Sequence, residues 1–114
     1  MHELGIAESA LQLALERARQ EGASRVLRMV IRVGALSGVD PEALRFAFTA
    51  ILPGTAAEGA ALQIDPVPAV AHCPDCGSDF VPDTDHVFEC PTCGRLSGTV
   101  KQGRELDLVR LEMS

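Results

Sequence analysis

The stretch HCPDCGSDFVPDTDHVFECPTCG, residues 72–94, contains every cysteine of the chain. They stand as Cys73-x2-Cys76 and, thirteen residues further on, Cys90-x2-Cys93, each pair in the same frame, CPDCG and CPTCG. Two residues between thiolates let one tight turn present two sulfurs to a tetrahedral ion, whose ligands sit about 2.3 Å from its centre. Gly77 and Gly94 follow the second cysteines, where a turn with φ > 0 brings the backbone close to sulfur. Pro74 and Pro91 follow the first cysteines and stiffen the turn by fixing φ. The same turn twice, a short hairpin apart, is the pattern of a zinc ribbon. It predicts Zn(2+) held by Cys73, Cys76, Cys90 and Cys93.

Three other readings compete for these thiols. Two disulfides would need an oxidising compartment. Residues 1–20 are a charged amphipathic run with no basic start and no continuous apolar core, unlike a secretory signal, so a reducing, cytoplasmic setting is expected. An iron site of the rubredoxin type also uses paired CPxCG turns, normally under aromatic shelter, and Phe80 and Phe88 are the aromatics of this hairpin. Four unliganded thiols are the third. With sulfur at all four positions a zinc site is closed, holds no water or substrate, and serves folding. Function must then be sought elsewhere in the chain.

The chain has 114 residues, enough for one compact domain plus a small metal module. Hydrophobic residues make up 46% without an apolar run of membrane-spanning length. Net charge is −6, and the 10 basic residues are scattered, so nothing builds a phosphate-tracking stripe. That argues against the nucleic-acid role common among zinc ribbons. The segment Gly34-Ala-Leu-Ser-Gly38 lacks the third glycine of a dinucleotide loop, and neither GxxxxGK[ST] nor GxSxG occurs. No catalytic residue is expected.

Outside the cysteine stretch, residues 4–21 carry Leu4, Ala7, Leu11, Ala14, Leu15 and Ala18 at helical spacing, with Gly22 as a stop. Residues 25–33 alternate as a strand, with Leu27, Met29, Ile31 and Val33 on one face and Arg28 and Arg32 on the other. Asp40-Pro41-Glu42 is an N-cap, a first-turn proline and an acidic position, opening a helix to about Leu52. Residues 61–65 predict a second strand, with Pro66 and Pro68 as its stiff exit. Residues 105–113 predict a third. The expected fold is α/β, in the sense of two helices packed on a small three-stranded sheet, with the zinc ribbon inserted between the second and third strands. Residues 1–69 plus 99–114 would form the α/β domain and residues 70–98 the ribbon.

A second candidate site is Met1-His2-Glu3. A free α-amine, the amide nitrogen of residue 2 and the imidazole Nδ1 of His2 can grip one ion in fused chelate rings, with Glu3 supplying an amide or a carboxylate. Nitrogen-rich planar sites suit Ni(II) or Cu(II), and zinc gains nothing from planarity. Glu3 also suits a helix start, and Asp40, which could approach the same end, is fully explained as a cap. His72 and His86 flank the thiols; they could hydrogen-bond to sulfur or titrate near neutral pH.

The start MHELGIAESAL, the segment VGALSGVDPEALRFAF and the paired CPxCG turns, in this order, resemble the HypA/HybF family, nickel-delivery proteins of [NiFe]-hydrogenase maturation. The resemblance covers essentially the whole chain. It implies transferable Ni(2+) bound by His2 and the N-terminal nitrogens, with structural Zn(2+) at Cys73, Cys76, Cys90 and Cys93. It also implies a GTPase partner (HypB) and the hydrogenase large-subunit precursor as client. The expected function is therefore a nickel metallochaperone and not an enzyme. The alternatives are a zinc-ribbon adaptor acting only by protein contact, or a small iron-tetrathiolate electron carrier.

Overall fold

A computed structural model describes residues 3–82, 88–96 and 99–114. In chain order the elements are α1 (Glu3–Gln20), β1 (Val26–Gly34), α2 (Pro41–Ile51), β2 (Ala61–Val67), β3 (Val70–His72), β4 (Asp79–Phe80), β5 (Thr99–Gln102) and β6 (Leu106–Met113). They form two three-stranded sheets, ordered β2-β1-β6 and β4-β3-β5. In the larger sheet β1 pairs with β2 in parallel and with β6 antiparallel. In the smaller sheet all pairing is antiparallel.

Both helices begin and end as their sequences dictate. The N–H of Ala23 reaches the carbonyl of Ala18 (2.8 Å) and that of Gly22 the carbonyl of Arg19 (3.1 Å), and Gly22 has φ 72°. Only glycine enters that left-handed closing turn without cost. The Asp40 carboxylate accepts from the N–H of Glu42 at 3.0 Å and caps α2, an interaction worth about 1 kcal/mol.

The core is the face the periodicity marks. Ala7, Leu11, Ala14 and Ala18 of α1, Met29, Ile31 and Val33 of β1, and Leu44, Ala47 and Phe48 of α2 are buried together. Alanines at α1's contact positions let the helix lie close to its neighbours. Leu4, expected inside, is half exposed. So is Leu27: the β1–β6 register slips between Val26 and Arg28, and this turns Val26 inward in its place. The polar residues of this sheet bridge neighbouring strands. Arg28 binds Gln63 of β2 and lies 3.7 Å from Glu112 of β6, and Arg32 lies 3.8 Å from Glu105.

Phe48 is the largest fully buried side chain among the described residues. Phe48→Ala is expected to lower unfolding stability by about 3–5 kcal/mol, read by urea denaturation. A loss below about 1 kcal/mol would remove it from the core.

Pro66, expected to end the second strand, lies within β2, opposite Val33. A strand at the sheet edge tolerates a residue that cannot donate. The smaller sheet takes in Thr99–Gln102, which the sequence reading grouped with the α/β part; β5 pairs with β3 there. The molecule measures 54 × 25 × 16 Å with a radius of gyration of 17.5 Å, against about 13 Å for a compact domain of this length.

Candidate metal centre

The two cysteine turns repeat one backbone design. In the first, Gly77 N–H donates to the Cys73 carbonyl (2.8 Å) and Cys73 N–H to the Ser78 carbonyl (2.9 Å). In the second, Gly94 N–H donates to the Cys90 carbonyl (2.7 Å) and Cys90 N–H to the Arg95 carbonyl (3.0 Å). Gly77 and Gly94 have φ 73° and 75°, where an L side chain would be strained. The turns are brought face to face by the small sheet and by an ion pair from Arg95 to Asp75, 2.9 Å.

This arrangement places all four Sγ atoms within 4.8 Å of one another. Cys73 and Cys93 are 3.6 Å apart and Cys76 and Cys90 3.5 Å. A tetrahedron with 2.3 Å metal–sulfur bonds has edges of about 3.8 Å, so the cluster has the size of a zinc site. The cysteines are free, and these separations are far longer than the roughly 2.05 Å of a disulfide. Cys73 and Cys90 are buried; Cys76 and Cys93 are exposed.

Bringing the thiols together drives the acidities of Cys90 and Cys93 apart. Backbone N–H groups, that of Cys93 first, bring the Cys90 thiol down to about 6. For Cys93 the backbone hydrogen bond at Arg95 acts downward, but partial loss of hydration and the neighbouring Cys73 and Cys90 outweigh it and push it up to about 11. One sulfur readily becomes a thiolate, while a second negative charge beside it needs a cation. A zinc ion held by the four sulfurs would supply that charge and tie the two turns together.

Among the described residues, little else around the thiols is apolar: Ala71 and Phe80 are buried with Cys73 and Cys90, and Phe88 packs on them. His72 does not turn to sulfur. Its Nδ1 lies 2.7 Å from the Asp79 carboxylate, whose other oxygen accepts from Lys101 at 2.8 Å. Lys101, with His72, holds the Asp79 carboxyl below the usual range. The three residues come from three strands, so no local spacing marks the cluster, and reading along the chain missed it.

The second candidate site is only partly within view. Met1 and His2, and also His86, lie outside the described residues. Glu3 opens α1, and its Oε2 accepts the Asp40 N–H at 3.1 Å. The start of the first helix is thereby tied to the cap of the second.

The family model described as hydrogenase/urease nickel incorporation, metallochaperone, hypA matches residues 1–113. The chain is 43% identical over 112 residues to hydrogenase maturation factor HypA of Chloroflexus aurantiacus, covering 98% of each chain. It is 42% identical over 113 residues to the same-named factor of Dechloromonas aromatica, covering 99% of each. Among solved structures, the Ni metallochaperone HypA from Helicobacter pylori matches with a TM-score of 0.69 at 28% identity, over 99% of this chain and 97% of that one. Two helices, two small sheets and a four-thiol ribbon thus agree with the sequence likeness, and the chain belongs to the HypA family of hydrogenase-maturation nickel metallochaperones.

Proposed function

We propose that the protein carries Ni(II) at its N-terminus and hands it to the [NiFe]-hydrogenase large-subunit precursor in the cytoplasm, exchanging it with a GTPase of the HypB kind. The observation that carries this reading is a whole-length match to a nickel-incorporation family by a chain that opens Met-His-Glu. Nickel is cargo here. The Met1 amine, the amide of residue 2 and the His2 imidazole form its nitrogen grip, and Glu3 supplies a further amide or a carboxylate oxygen. The Asp40 contact occupies one Glu3 oxygen and anchors the helix directly behind the grip, which supports a preorganised site. No bond is made or broken, so no residue is assigned a catalytic role. Zinc at the four cysteines holds the ribbon in shape. The division is an α/β unit, residues 1–69 and 99–114, carrying nickel, and a ribbon centred on 70–98 whose sheet β5 completes.

Nickel titration of zinc-loaded protein tests the assignment. A chain with its amine free is expected to take up one tightly held Ni(II), and a chain extended by a few residues before Met1 to lose it while keeping its zinc. Equal uptake by the two forms would refute the N-terminal site.

A further inference from the structure

The two sheets are joined by two short crossings, from Val67 to Val70 and from Gln102 to Leu106. Neighbouring units joined in this way move relative to each other by default, unless something large or specific locks them. Here the turn after β1 touches both crossings with its backbone. Ala35 N–H donates to the Val67 carbonyl at 2.9 Å, Leu36 N–H to the Gly103 carbonyl at 2.6 Å, and Gly34 N–H to the Glu105 carbonyl at 2.7 Å. The crossings hold each other as well, through Gln102 Nε2 and the Pro68 carbonyl at 3.0 Å. The Glu105 carboxylate accepts from Gly103 N–H at 2.7 Å and faces Arg32 of β1.

The contact is too close for any side chain. A Cβ on Gly34 would sit 2.0 Å from the Gly103 carbonyl oxygen and 2.7 Å from the Glu105 nitrogen. Gly103 has φ 123° and is buried, and a Cβ there would sit 2.8 Å from the Ala69 Cα. Two backbones thus meet with nothing between them, and neither can be displaced by rotating a side chain. Further along, the same loop reaches Asp40, whose N–H is held by Glu3.

We infer that residues 34–37 and Gly103 form a rigid joint that fixes the ribbon at one angle to the α/β unit, so that the elongated molecule moves as a single body. The joint rests on neither nickel nor the identity of a partner. A protein that grips the ribbon therefore also sets the direction in which α1 begins.

Residual dipolar couplings on the full-length, zinc-loaded protein test this. One alignment tensor is expected to fit both units of the unaltered protein. In Gly34→Ala, with one zinc equivalent retained, each unit should keep its internal couplings while the two require different tensors. Two tensors in the unaltered protein would overturn the proposal without any variant, and so would a single tensor in a folded Gly34→Ala protein. Should Gly34→Ala fail to fold, Leu36→Pro, which deletes the N–H donor to Gly103, is read by the same criterion. Since nickel is absent throughout, failure here leaves the N-terminal assignment standing, and the reverse holds too.

Discussion

Cys73→Ser is expected to abolish stoichiometric zinc and to unfold the small sheet while the larger one survives. Among its described residues the ribbon has almost no apolar interior of its own: two cysteines, Ala71 and Phe80 are buried, with Phe88 beside them. Its strands are two to four residues long. Burying so little hydrocarbon cannot offset the ordering of the chain, which costs about 1–2 kcal/mol per residue for the backbone alone. Structural zinc contributes about 10–16 kcal/mol in isolated zinc-finger peptides, so the ion decides whether this part folds. Cys73 is buried, and a serine hydroxyl there offers no thiolate. The α/β core draws on Phe48, Met29 and Leu44 instead and has no share in the cluster. Amide spectra should lose dispersion over residues 70–102 and keep it elsewhere, and chelation of the unaltered protein should reproduce the pattern. A Cys73→Ser protein with a full zinc equivalent and an unchanged melting curve would sink this account.

The second large effect is on nickel. His2→Ala is expected to weaken Ni(II) binding by more than the 10–100-fold that loss of a merely supporting residue causes, because it removes a ligand and opens a chelate ring. The order of metals should be Cu(II) before Ni(II) before Zn(II), as planar nitrogen donors require. Binding should also weaken on acidification, since amine and imidazole must be deprotonated to bind. Competition titrations with a chromophoric chelator would measure all three. A His2→Ala protein with unchanged nickel affinity, or a terminus that prefers zinc, would overturn a planar nitrogen site built on His2. The zinc content of the variant should not change, which separates this outcome from the first.

Much of the fold could be read along the chain because its signals are local. The α1 stripe, the Asp40-Pro41 cap, the alternation at 105–113 and the duplicated CPxCG frame are each short-range patterns. What escaped depends on register. Simple alternation puts Leu27 inside; it lies outside because β1 slips against β6. The Asp79 cluster and the Gly34–Gly103 contact join residues 7 to 69 positions apart, and no spacing announces them. The family likeness was legible in quoted motifs, but it said nothing of how the ribbon is held. Its position marks Glu3 as a helix opener and a candidate ligand; its contact with the Asp40 N–H comes from how α2 is presented, which no sequence period encodes.

The alternation of burial within the two turns makes the thiolate cage one-sided. The first cysteine of each pair is walled in, and the second faces solvent. Water, chelators and electrophiles therefore approach the ion along a single flank, and Cys76 and Cys93 are the bonds they meet. A zinc ion held here would be expected to lose those two sulfurs first and the walled-in pair last.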